Sequence, residues 1–306
     1  MDTALRTDRF RIWLAFATAC MVWGSTWLAI KIGLDGVPPF LGAGIRFLLA
    51  SVILLAIITL GGINVPSTPE AKRVYAVLAV FSYTIPFAFV YWSEQYLPTG
   101  LASILFAAFP FWVGIFSHRM LEHERLNSFK VAGIVLGFAG IVIIFAGDVR
   151  LDHPHAFTAM LMMLVSPIMQ AYCLVLVKKL AQPLSPFAFT FVGMFFSSVA
   201  LLTLSAVFEH DAVIVWNASA IGSIVYLATV GSVIVFVTYY WLLKRVQAVY
   251  LSLMSFITPI IAVVLGAWVL DERLQTSVFI GAAFVLAGLL VANGKYVYGK
   301  VSEAFD

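Results

Sequence analysis

The chain has 306 residues, 62% of them hydrophobic and only 11% charged, with a mean hydropathy of +1.02 and a formal net charge of +3. Soluble domains run near 25% charged, so this chain cannot cover itself with polar surface in water and is read as an integral membrane protein. Its basic residues sit between apolar runs and form no stripe for a nucleic acid, and Cys20 and Cys173 both fall inside apolar runs, which argues against a disulfide scaffold.

A hydrocarbon core of about 30 Å needs ~20 helical residues to cross it. Runs of that size occupy residues 12–31, 39–60, 74–92, 99–117 and 129–146, then 156–177, 186–208, 218–243, 248–270 and 277–293. Backbone groups in lipid must bond internally, so the runs predict ten transmembrane helices and an all-α polytopic fold. The first run is too long for the apolar part of a signal peptide and lacks a small-residue cleavage site, so it is expected to stay as a helix. Connections are short. The longest, 61–73, holds Pro66, Ser67, Thr68 and Pro69 and reads as a cytoplasmic loop.

The second five runs echo the first. Pro110 answers to Pro259, 149 positions on, and Glu124-Arg125-Leu126 to Glu272-Arg273-Leu274, 148 positions on. Gly133 and Gly140 are matched by Gly281 and Gly288, Pro39 by Pro186, and Tyr91 by Tyr240. A period of half the chain is too long for a solenoid and points to the internal repeats of transporters. The boundary falls in 147–155, giving a first repeat of 1–147 and a second of 148–306.

Fourteen of the 18 lysines and arginines lie on the side that holds both chain ends, three lie on the other, and Arg46 lies within a span. Both termini are therefore expected in the cytoplasm. With five spans per copy, the second repeat enters the membrane from the opposite side. Inverted repeats of this kind are the architecture of alternating-access carriers.

The ionisable residues restrict the chemistry. All eight aspartates lie outside the runs, and all seven glutamates lie in connections or at span ends. That placement argues against a mid-membrane proton relay and against a site for organic cations. No nucleophile–base pair can be assembled, so an enzyme has little to work with. Asp148, Asp152, His153 and His155 could suggest a metal, but their spacing is irregular and a polar external loop is the simpler reading. No metal and no cofactor is expected.

Arg46 sits seven residues past Pro39, ~10 Å below that edge at 1.5 Å per residue. It either snorkels to helix-end carbonyls or partners an anionic substrate group or Glu94, at the same end of the third span. Counting inward places Trp23, Tyr83, Pro110, Gln170 and Pro259 near mid-depth. Proline frees a carbonyl that needs a partner or a wet cavity, so Pro110 and Pro259 mark either the binding cavity or packed kinks. Tyr239 belongs with the aromatic residues that could line such a cavity, whereas Trp92 and Tyr96 read as interface-belt residues. Gly133-x-x-x-Gly137 and Ala283-x-x-x-Ala287 are expected to be close-packing faces.

Trp23-Gly24-Ser25, Arg46-Phe47-Leu48-Leu49, Glu94-Gln95-Tyr96-Leu97-Pro98-x-Gly100-Leu101-Ala102 and the two Pro…Glu-Arg-Leu…Gly blocks resemble the EamA-type branch of the drug/metabolite transporter superfamily. The likeness covers essentially the whole chain. It implies a multi-pass carrier of the inner (plasma) membrane, often an exporter, for amino acids or other small metabolites. Its cavity would be lined by spans 1, 3, 4, 6, 8 and 9, and would include Trp23, Tyr83, Pro110, Gln170, Tyr239 and Pro259. The small multidrug-resistance relatives depend on a glutamate in the first span. This chain has Trp23-Gly24-Ser25-Thr26 there, so cationic-drug antiport is not carried over.

The expectation is a secondary transporter of small neutral or zwitterionic metabolites, an exporter working by alternating access, with Arg46 and Glu94 as charge partners. A nucleotide-sugar or sugar-phosphate exchanger would want a cationic cavity, for which only Arg46 and Lys31 are candidates. An intramembrane enzyme is the alternative from another class. Glu94 at the external end leaves proton coupling open. The partners expected are a small-molecule substrate and the lipid bilayer, with either a monomer or a homodimer compatible.

Overall fold

The computed structural model describes residues 2–121, 128–146, 153–181, 184–245, 251 and 254–292, and all the regular structure among them is helical. In chain order the helices are α1 (Asp2–Leu34), α2 (Pro39–Leu60), α3 (Pro69–Glu94), α4 (Thr99–Met120) and α5 (Ser128–Ala146). They continue as α6 (Ala156–Leu180), α7 (Pro186–Phe208), α8 (Ala218–Leu243), α9 (Met254–Leu270) and α10 (Thr276–Ala292). Among the described residues seven helices, α1 from Arg11 onward with α2, α3, α4, α6, α7 and α8, are long and apolar enough to cross a membrane. The runs expected at 129–146, 248–270 and 277–293 correspond to the shorter apolar stretches Ser128–Ile144, Ile257–Leu270 and Thr276–Gly288. Residues 147–152, where the repeat boundary was expected, lie outside the described residues.

Helix starts follow local chemistry. Pro39, Pro69 and Pro186 occupy first-turn positions, where a missing N–H costs nothing. Thr68 Oγ1 accepts from Ala71 N at 3.2 Å, and Asn217 Oδ1 from Ala220 N at 2.7 Å. Each cap satisfies a donor that the helix cannot. Outward faces carry exposed Leu55, Val135, Phe195, Phe196, Phe279 and Trp268, the last 81% exposed. Apolar residues all round a helix are what a lipid surround requires.

The helices meet in matched pairs. Helix α1 lies against α8 and α9, while α6 lies against α3 and α4. Helix α2 packs on α7 and α8, and α7 on α2 and α3. Both α1–α8 and α3–α6 carry hydroxyl bonds between helices. Ser25 Oγ meets Tyr226 Oη at 2.6 Å and Ser223 Oγ bonds the Ala29 carbonyl. Across the other pair, Ser166 Oγ donates to the Pro86 carbonyl at 3.2 Å and Ser93 Oγ to the Ala159 carbonyl at 3.0 Å. Lipid offers such groups no water, so interhelical partners satisfy them.

Helices α5 and α10 form a close-packed pair through glycine. A methyl on Gly140 would strike the Gly281 carbonyl oxygen at 2.5 Å, and one on Gly288 the Gly133 oxygen at 2.5 Å. On α10 the buried stripe is Gly281, Val285 and Gly288, while Ala283 is exposed. The expected Ala283-x-x-x-Ala287 face is thus corrected: spacings of four and three keep the glycine stripe on one side of the helix, and Ala283 turns outward.

Replacing Gly140 with leucine should lower the thermal midpoint in detergent, with an overpacking cost on the order of 1–3 kcal/mol. Gly222→Ala, where an added methyl meets nothing within 4 Å, should be neutral or slightly stabilising. Equal midpoints for the two variants would contradict the glycine contact.

Candidate functional site

A cavity of about 120 Å³ opens where the helices of the two chain halves meet. At ~10–15 Å³ per water position, this is room for roughly ten waters, or a solute of similar heavy-atom count. Its walls are aromatic and aliphatic. Trp23 of α1 stands 4.7 Å from Tyr239 and 5.6 Å from Phe236 of α8, measured between ring centroids. Polar groups are few. The Thr26 and Ser103 hydroxyls are spent on the carbonyls of Trp23 and Gly100, leaving Arg46 of α2 as the charged group and Gln170 of α6 as the amide in the lining.

Arg46 does not snorkel. It is 1% exposed, and its guanidinium reaches across to α8, with Nε on Ser232 Oγ at 2.9 Å and Nη2 on the Gly231 carbonyl at 2.9 Å. Nη1 lies 3.4 Å from Tyr91 Oη, and the Phe47 and Phe87 rings stand 5.3 and 4.9 Å from Cζ. The carbonyl it uses is in mid-helix, at a place where α8 widens into a π-helical turn over Thr229–Ile234. Widening disturbs the regular ladder and often marks a functional position. Helix α3 widens in the same way over Leu78–Thr84, about half the chain earlier.

The two widened turns are filled reciprocally. Position 46 corresponds to 193 at the offset of 147 that relates Pro39 to Pro186, and position 83 to 232 at the 149 that relates Tyr91 to Tyr240. In one half a large arginine on α2 meets a small serine on α8. In the other, Gly193 on α7 lies under the large Tyr83 of α3, whose Cε2 stands 2.9 Å from where a glycine Cβ would be. Size is swapped between partners while the contact is kept.

The predicted residues separate into three groups. Trp23, Gln170, Tyr239 and Arg46 share the cavity wall. Tyr83 is fully buried behind it, 5.2 Å from Phe236 between ring centroids. Pro110 and Pro259 stand outside the lining. Pro110 restarts α4 after a break at Ala107–Ala108. Its missing N–H leaves the Phe106 carbonyl without the usual partner one turn on, and Phe106, Ala107 and Phe109 line the cavity there. Pro259 is buried within α9, and Thr258 beside it takes the lining position.

Two carboxylates fasten connections to the starts of neighbouring helices. Asp271, at φ 52°, turns the chain at the end of α9 in the left-handed region that aspartate tolerates better than most residues. That turn brings Glu272 to the start of α4, where Oε1 accepts from Thr99 N and Thr99 Oγ1, both at 2.8 Å. Glu209 docks likewise on α2, accepting from Phe40 N at 2.8 Å and Leu41 N at 2.9 Å. A helix N-terminus favours negative charge, so each carboxylate ties a connection to a neighbouring helix.

Glu94 differs from both. At the end of its span, it is 0% exposed, and neither carboxylate oxygen has a hydrogen-bond partner among the described residues. It is the last residue of α3, at the span end where counting puts it, but its enclosure depends on contacts from other helices and could not be counted. Lys31 Nζ, close by, is engaged by the carbonyls of Glu94 and Leu97 at 2.5 and 3.0 Å. His153 and His155 pack against Tyr96 and Trp92. Asp148 and Asp152 lie outside the described residues, among which no cluster of metal-ligating side chains occurs.

Arg46→Met should cost on the order of 3 kcal/mol, by stranding the Gly231 carbonyl and the Ser232 hydroxyl, and Ser232→Ala about 1–3 kcal/mol. Because the residues touch, the double variant should lose less than the sum. Thermal unfolding in detergent measures all three, and strict additivity would contradict the bond.

The profile of the EamA-like transporter family matches this chain twice, over residues 10–146 and 157–294. The uncharacterized transporter YoaV of Bacillus subtilis is 24% identical over 291 residues, covering 95% of this chain and 99% of its own length. The uncharacterized inner membrane transporter YedA of Escherichia coli K12 is 27% identical over 280 residues, with 91% and 89% covered. A solved crystal structure superposes with a TM-score of 0.69 at 21% identity, covering 91% of this chain and 96% of the other, a likeness of fold. A helical, membrane-spanning chain whose two halves each match that profile belongs to the EamA-like transporter family.

Proposed function

We propose that the protein is a secondary carrier, an exporter, of small neutral or zwitterionic metabolites such as amino acids. Its ten helices would form two inverted five-helix repeats, 1–147 and 148–306, in the inner (plasma) membrane with both ends cytoplasmic. The twofold match to one family profile supports the repeats, as do the matched helix pairings and the reciprocal filling of the two π-helical turns.

The observation that carries the substrate class is the cavity wall: one fixed cation, one amide and a cluster of aromatic rings. Arg46 uses part of its five-donor fork on α8, and the rest is available to a carboxylate. Trp23 and Tyr239 offer ring faces to an ammonium group. A single cation suits one carboxylate better than the phosphates of a sugar phosphate or nucleotide sugar. Alternating access follows when the two repeats rock about this site, exposing it to each side in turn.

A thermal-shift screen of the detergent-solubilised protein against amino acids tests the reading, because a ligand at a hundred times its Kd stabilises the fold by ~2.7 kcal/mol. Free amino acids should raise the midpoint, and their methyl esters should not. Arg46→Lys, which keeps the charge but loses the planar fork, should weaken the response about tenfold or more in ligand concentration. Esters that stabilise as well as the acids would contradict the role of Arg46.

A further inference from the structure

Glu94 is the buried ionisable group for which the proposed site has no use. Its carboxylate is wholly enclosed and accepts no hydrogen bond from the described residues, whereas Glu209 and Glu272 are each bound by backbone donors. Buried ionised carboxylates persist where donors or a paired cation hold them. The charged groups facing Glu94 are Lys31 from α1, Arg46 from α2 and Glu272 from the α9–α10 connection. None makes an ion pair with it. Lys31 is committed to two backbone carbonyls, Arg46 to α8, and Glu272 repels. Tyr91, one turn earlier on α3, is turned toward Arg46, and the histidines ahead of α6 lie on Tyr96 and Trp92.

From this enclosure we infer that Glu94 is a proton-binding site of the carrier, loaded from water when its end of the cavity is open, still protonated once that end has closed over it, and emptied through the cavity toward the opposite side. The step is a bare protonation: one carboxylate oxygen takes a proton and the side chain becomes neutral, with no further reactant. Val90, one turn below Glu94 on the same helix, lines the cavity, so the proton site and the solute site are adjacent but separate. Opening requires Glu272 to leave Thr99, and the same movement uncovers Glu94. Export of a solute would then be tied to entry of a proton, a deepening that rests on the carrier reading for its use, though not for the site itself.

Infrared spectroscopy of the protein in lipid bilayers at pH 7, without any solute, reads the site directly. The wild type should show the carbonyl stretch of a protonated carboxyl group, shifting in heavy water. Glu94→Gln should lack it, and Glu209→Gln should keep it. Identical spectra for wild type and Glu94→Gln, or no such band in the wild type, would overturn the inference, and the wild-type spectrum alone decides if the variant folds poorly. In proteoliposomes given a mixture of radiolabelled L-amino acids, an imposed pH gradient should raise wild-type accumulation severalfold, and Glu94→Gln should bring that ratio to about one. A ratio unchanged in the variant would overturn the coupling. No amino-acid movement in any protein would count against the carrier's substrate class while leaving the infrared result standing.

Discussion

A guanidinium buried between α2 and α8 is the constraint on which the rest of this molecule depends. Arg46 is held by Ser232 and by the carbonyl of Gly231. A charge at this depth is costly in lipid unless it is bonded, so the helix from the first half and the helix from the second must stay together. The bond also fixes the one charged group in the cavity lining, beside uncharged polar groups such as Gln170.

The second feature is that likeness between the halves coexists with exchange of size. Two π-helical turns occur at corresponding places. One is filled by an arginine above a serine, the other by a tyrosine above a glycine. The cavity is therefore symmetric in its frame and asymmetric in its chemistry. A frame of this kind allows two related conformations of similar energy. In the proposed carrier, that asymmetry would give a solute one preferred orientation in both.

Much of this was legible in the residues. Apolar runs locate the helices because lipid leaves the backbone little choice; counting inward from run ends points to Trp23, Gln170 and Arg46, and aromatic character to Tyr239. What depended on distant contacts was not legible. The burial of Glu94 comes from a connection 170 or more residues away folding over it. The π-helical turns meet α2 and α7, and no local motif announces them. On α10 small residues occur on several faces, so sequence could not choose the Gly281–Gly288 stripe over the alanines. Pro110 and Pro259, expected to mark either the cavity or packed kinks, stand outside the lining, and their neighbours supply the cavity wall.

If the two repeats rock about one solute site, the ends of the cavity cannot open together. Spin labels report this directly once Cys20 and Cys173, both buried, are replaced. One pair is placed at Gln95 and Arg273 on the end that holds Glu272, and another at Arg119 and Arg245 on the opposite end. Distances are measured in lipid bilayers with and without a saturating mixture of L-amino acids. Alternating access predicts opposite changes, one pair separating as the other draws together. Pairs that move in the same sense, or that ignore the solutes entirely, would contradict it.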